Sequence, residues 1–346
     1  MTKRLFGKTK KGEEVYAYLL TNSKGMKVEI LNFGAVVRSI VVPDSKGVER
    51  DVVLGFDDVA SYESNPSYFG AVIAPSANRI GNAEFTIDGV KYKVDANADG
   101  NNLHSHADLG SHKRIWAVKE GENSVTLTVK MADMDMGFPG NKEISVTYVL
   151  TENNELELNY SAKSDKNTIL NPTNHSYFNL AGHKSGKILG EELTLYASGM
   201  TEVVPGSIPT GVIRNVTGTV MDFTKGRIVG NDIDDNYDML VIGGGYDHNF
   251  VIDGYDGTLR KIAVVKDASV GGEMTVYSDL PGVQFYAGNF ISPQAGKEGA
   301  KYGKRDALCL ETQYFPDSVN HPNFPSCVFG PGKDYTSKTV YAFKYN

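Results

Sequence analysis

At 346 residues, with 40% apolar and 22% charged side chains, the chain has the composition of a folded globular protein with an extensive core, which excludes disorder. Its 35 Lys and Arg against 42 Asp and Glu leave a net charge of −7, opposing attraction to nucleic acid or an anionic membrane and favouring a neutral small-molecule partner. Two cysteines, Cys309 and Cys327, form neither a disulfide framework nor a Cys-x-x-Cys site, and no apolar run behind the N-terminus suggests a signal peptide or membrane span, so a cytoplasmic setting is expected.

In chain order, residues 27–31 and 36–42 read as short β-rich segments, and 57–63 has room for a turn or two of helix before Pro66. The apolar run 69–74 leads through Pro75 to Asn78-Arg79-Ile80-Gly81-Asn82, an arginine among amides suited to directional hydrogen bonds with hydroxyls or carboxylates. In Asn101-Asn102-Leu103-His104-Ser105-His106, the two histidines would share one side of an extended chain, with His112 nearby. No cysteine or well-spaced acid accompanies them, so no metal is expected. Alternation marks strands over 124–131, 144–151, 155–162 and 192–198, with Val125, Leu127, Val129 and Met131 on one face and Leu156, Leu158 and Tyr160 on another.

After the 155–162 strand comes Asn171-Pro-Thr-Asn-His-Ser-Tyr-Phe-Asn-Leu180, where amides around His175 are expected to fix its tautomer and orientation. A second short helix is expected over 232–240, N-capped by Asn231. Three glycines then precede Asp247, suiting a tight loop or a close backbone approach. Strands over 274–278, 282–286 and 339–343 complete the pattern, with Gln284 in the second of them. Glu311 ends the apolar run 307–310, at a strand terminus where burial can raise its pKa. Many strands and 37 glycines, with no linker, repeat or nucleotide-binding loop, predict an all-β, large antiparallel β-sandwich forming a single domain over 1–346.

Two histidines, two carboxylates, an arginine and several amides suit chemistry on a polyol. The segments Asn78-Arg79-Ile80, Asn102-Leu103-His104, 133–140, Asn174–Leu180, Tyr246–Phe250, 281–289 and Glu311-Thr-Gln313 occur in the order seen in aldose 1-epimerases, the galactose mutarotase family, which the chain resembles from about residue 12 onward. The resemblance implies a supersandwich with an open sugar cleft and no cofactor, acting as a monomer or homodimer on a small-molecule sugar such as galactose, glucose or a disaccharide. By position it makes Glu311 the general base, His175 the general acid and His104 the second catalytic histidine, with Arg79, Asn78, Asp247 and Gln284 holding hydroxyls. Ala74-Pro75 and Ser105-His106 stand where relatives often have Gly-Arg and Gly-Gly, which raises a disaccharide preference, with His106 either meeting a second ring or facing solvent. A hexose-6-phosphate epimerase would need cations, for which Lys113 and Arg114 are the candidates. A carbohydrate-binding module would not need an acid–base pair, and a glycoside hydrolase pairing Asp247 with Glu311 would leave His175 without a task.

Overall fold

The computed structural model describes all 346 residues and consists mostly of antiparallel strands, with two one-and-a-half-turn helices. Its largest sheet has nine strands, running from Ala117–Glu120 at one edge through Ser124–Met131, Lys142–Leu150, Glu155–Ser164 and Tyr335–Tyr345 to Gly272–Ser278, Arg260–Asp267, Glu192–Leu195 and Arg227–Ile228. The predicted apolar faces are the buried ones: Val125, Leu127, Val129 and Met131 point inward, as do Leu156, Leu158 and Tyr160. Period-two patterning therefore fixes which side of this sheet meets the core.

A five-stranded meander, from Thr2–Lys8 to Glu49–Asp51, and a second five-stranded sheet pack against it. The second sheet, ordered Ile208–Asn215, Gly199–Val204, Asp247–Val251, Gly282–Tyr286, Cys309–Gln313, carries one wall of a cleft lined by Asp247, Gln284 and Glu311. A continuous core of 60 buried apolar residues joins all three sheets. Polar ties cross it: the Tyr148 hydroxyl donates to the Ala35 carbonyl at 2.6 Å, the Tyr341 hydroxyl to the Leu310 carbonyl at 3.2 Å, and the Thr312 and Thr339 hydroxyls share a hydrogen bond at 2.6 Å. Buried hydroxyls so paired avoid the cost of desolvation and fix sheet register as well. No helix is long and apolar enough to cross a membrane.

The first helix, Val59–Ser64, begins two residues after the expected start, because Asp58 caps it by accepting from the Ser61 amide. The second is displaced to Asp238–Gly243, and Asn231 does not cap it. Asp235 accepts from the Tyr237 amide, an Asx-type turn that competes with helix formation across 232–237. Of the three glycines, Gly243 closes the helix and Gly244 caps it in the left-handed region at φ 63°. Gly245, at φ 126°, lies where a Cβ would sit 2.5 Å from the Asn289 side chain, so the loop is tight for packing reasons.

Candidate active site

A cleft of about 600 Å³, including its open mouth, is lined by Pro66, Ser67, Tyr68, Asn78, Arg79, Leu103, His104, His175, Tyr177, Asp247, Gln284, Tyr286, Phe290 and Glu311. All seven residues given roles from the sequence meet here, although they come from six separate segments.

Register explains one wall. Asn249, Gln284 and Glu311 are direct cross-strand partners, and Asp247, Tyr286 and Cys309 form the neighbouring row. Alternation puts Cys309, Glu311 and Gln313 on one face and Leu310 and Thr312 on the other. Glu311 thus stands mid-strand, with only 2% of its surface exposed, and not at a strand end as the apolar run suggested. Gly282 leaves space for the amides: a Cβ there would meet Asn249 Oδ1 at 2.6 Å.

The opposing wall is brought in by short pairings. Thr173–Asn174 pairs with Val72–Ile73, the Thr173 hydroxyl donates to the Thr312 carbonyl at 2.8 Å, and Phe178 and Leu308 exchange both backbone hydrogen bonds. These bonds sew the His175 segment to the Glu311 strand. His175 Nε2 comes to lie 3.6 Å from Glu311 Oε2. Its imidazole is stacked against Tyr177, with centroids 5.0 Å apart, and against Tyr68 at 5.8 Å, while Nδ1 lies 3.5 Å from Cys309 Sγ.

The amides around His175 have a different task from the one their positions suggest. Asn174 holds the Gly70 carbonyl and the Ser176 amide and hydroxyl, Asn171 pairs with the backbone of Tyr314, and Asn179 binds the carbonyls of Gly186 and Asp306. They fix the loop; Cys309 and the two tyrosines hold the ring.

His104 is adjacent, its ring edge-on to His175 at 5.3 Å. Its main-chain N–H donates to the Asn78 carbonyl at 3.0 Å, and the Asn78 N–H donates to its Nδ1 at 3.1 Å. Asn78 and His104 both occupy the left-handed region, at φ 58° and 54°, a strained geometry typical of built sites. Because Ser105 is also left-handed at φ 67°, the chain turns and His106 departs from the side His104 takes. His106 Nδ1 accepts from the Asp108 and Leu109 amides, and its Nε2 lies 3.7 Å from Asp95. Neither His106 nor the buried Pro75 lines the cleft. His112 packs its edge on Tyr68 instead, with Nε2 against the Ala107 carbonyl at 3.0 Å.

Asn78, Gln284, Gln313 and Asn249 form a continuous amide network. Asn78 donates to Gln284 and Gln313, Gln313 donates to Asn249, and Gln284 donates to Asp247 at 2.7 Å. Asn78 and Gln284 are therefore largely spent on orienting neighbours, whereas Asp247 and Arg79 present groups to the cavity. Lys113 and Arg114 are committed elsewhere, the first to the Glu63 carbonyl and the second to Asp135 and the Leu109 carbonyl. Arg79 is the one cation in the lining.

Burial controls the charges. It pushes the His175 imidazole down to about 4 and His104 well below its ordinary value, with His175 and Arg79 adding to the effect on His104. Burial first and Asp247 second raise Glu311 well above the carboxylate range, with Arg79 opposing. His104, His175 and Glu311 have ligand atoms within 4.8 Å of one another. The set nevertheless suits a metal poorly: Nδ1 of His104 is taken by a main-chain donor, so its Nε2 carries the hydrogen that a metal bond would have to displace.

The sequence profile described as aldose 1-epimerase matches residues 16–342. The chain belongs to the aldose 1-epimerase family. Among its relatives are the galactose mutarotase of Bos taurus, 38% identical over 99% of this chain and 98% of the relative, and the aldose 1-epimerase of Escherichia coli, 33% identical over 96% of each. The aldose epimerase homologue of C. elegans superposes with a TM-score of 0.86 at 30% identity, covering 95% of this chain and 99% of that one. The galactose 1-epimerase of Lactobacillus acidophilus gives the same TM-score at 22% identity, over 100% and 98%, a likeness of fold. Within this family member, Tyr68, Tyr177, Tyr286, Phe290 and Cys309 are site residues that the sequence reading left out. Tyr177 and Cys309 stood inside flagged segments; Tyr68 carried no signal.

Proposed function

We propose that this chain interconverts the α and β anomers of a free aldohexose such as galactose or glucose by acid–base ring opening. The observation that carries this reading is the buried pair of His175 and Glu311, 3.6 Å apart in a cleft with Arg79 and Asp247. Glu311 takes the proton from the C1 hydroxyl while His175 Nε2 protonates the ring oxygen, and the C1–ring oxygen bond breaks to give the aldehyde. Rotation about C1–C2 and reclosure, with both transfers reversed, give the other anomer.

The proton count is conserved within the pair. An ionised Glu311 with an imidazolium becomes a carboxylic acid with a neutral imidazole, so ring opening discharges two buried charges that burial disfavours. His104 offers a stationary Nε2–H to a sugar oxygen. Arg79 and Asp247 hold hydroxyls, with Gln284 donating to Asp247 and Asn78 holding Gln284 in turn. The two free, buried cysteines, Cys309 and Cys327, support a reducing, cytoplasmic setting.

Polarimetry tests this reading. Freshly dissolved α-galactose or α-glucose should approach equilibrium rotation at a rate proportional to protein concentration, and failure with galactose, glucose and maltose alike would remove the assignment. The commitment of Lys113 and Arg114 favours an unphosphorylated sugar over a hexose 6-phosphate.

A further inference from the structure

We infer that the two cleft histidines are held in opposite tautomers, and that Cys309 is the positioning residue that holds His175 in its state. The inference rests on the acid–base reading above and deepens it.

For His104 the argument is direct. A main-chain N–H can only donate, so the contact from Asn78 at 3.1 Å requires a lone pair on Nδ1 and places the hydrogen of the neutral ring on Nε2. Burial keeps that ring uncharged. His104 is therefore a donor whose state does not change during the reaction.

For His175 the constraints are reversed. Nε2 faces Glu311 Oε2 at 3.6 Å, and Oε2 has no hydrogen-bond partner. A single proton belongs to this pair, residing on the carboxyl or on Nε2. When it leaves Nε2, the neutral ring must keep its hydrogen on Nδ1. Tyr68 and Tyr177 cover the faces of the imidazole; besides the residue's own carbonyl, which favours the protonated ring, the side chain placed to accept from Nδ1 is Cys309, with Sγ at 3.5 Å. Cys309 is in that place because it shares a strand face with Glu311, two residues away, so one strand supplies the groups at both ends of the imidazole. The thiol accepts from Nδ1–H in the neutral ring and in the imidazolium alike, leaving Nε2 free to give and take a proton. Serine would retain a side-chain acceptor there; alanine would not.

Nitrogen-15 spectra of histidine-labelled protein read the tautomers, with His104→Gln and His175→Gln used to assign the signals. The wild type should show Nε2–H for His104 and Nδ1–H for His175. Cys309→Ala should mix the His175 pattern and lower kcat about tenfold with KM within about twofold, as expected for lost orientation without lost binding, and Cys309→Ser should regain the pattern and most of the rate. The same tautomer at both rings in the wild type would overturn the inference, as would a Cys309→Ala protein that keeps either the His175 pattern or kcat. A merely structural cysteine would lower the folded fraction and leave kcat per folded molecule intact. Should the wild type accelerate no mutarotation, the acid–base reading falls while the spectra still decide the tautomers.

Discussion

His175 Nε2 lies 3.6 Å from Glu311 Oε2, although one residue follows a two-residue strand and the other stands in the middle of a buried one. In the proposed reaction the carboxylate receives the C1 hydroxyl proton, and Gln is nearly isosteric with it but cannot. Glu311→Gln should lower kcat by about a thousandfold, within the range for a positioned general base, while circular dichroism and thermal melting stay close to wild type. A rate within tenfold of wild type would take Glu311 out of the base role.

The pH dependence follows from the same pair. Activity needs one proton shared between Glu311 and His175, and acid removes activity only when both groups are protonated. Because burial brings His175 down to about 4, this loss should come well below the ordinary histidine value of about 6.5. Because burial raises Glu311, the shared proton should be released only above the ordinary carboxylate range. With the uncatalysed rate subtracted, kcat/KM should fall as pH drops toward about 4, with no limb near the ordinary histidine value. An acidic limb near 6.5 would mean that His175 titrates as if solvated.

Arg79 acts in two ways that substitutions can separate. Its guanidinium lines the cleft, where the proposed reaction has it hold a sugar hydroxyl, and it also opposes the rise in Glu311 pKa. Arg79→Lys keeps the charge and loses the planar fork, so KM should rise about tenfold with kcat little altered. Arg79→Met loses both, and kcat should fall as well. Initial polarimetric rates over a range of galactose concentrations distinguish the two, and equal kcat in the Lys and Met variants would limit Arg79 to binding.

What sequence made legible, and what it did not, divides along physical lines. Alternation located the Ser124–Met131 strand to the residue, because half-buried strands carry their period in the chain. Glu311 was found as a carboxylate beside an apolar run, yet its mid-strand burial depends on its partner Gln284 and the Thr312–Thr339 contact, which are long-range. His106 shows the limit most plainly. Spacing alone puts it beside His104, but left-handed backbone at His104 and Ser105 turns it away, and no local pattern announces that. Tyr68, which stacks on His175, is an ordinary aromatic until the fold brings its loop against the His175 segment.

Glu191 offers a test of stability away from the cleft. It is 1% exposed, its one hydrogen bond accepts from the Leu180 amide at 2.7 Å, and Oε2 has no partner. Burial raises its carboxyl from 4.5 to about 8, with the Leu180 bond opposing. The sign follows from proton binding: between those values the folded chain holds a proton that the unfolded chain has released, so stability declines as pH rises. The contribution is fully present below pH 4.5, decreases through the interval and levels off above about 8. Over the whole interval the loss is on the order of a few kcal/mol. Glu191→Gln cannot titrate, so its unfolding free energy should gain on that of the wild type by that amount between pH 5 and 8 in denaturant titrations. Parallel pH profiles for the two proteins would show that Glu191 is already ionised and solvated in the folded state.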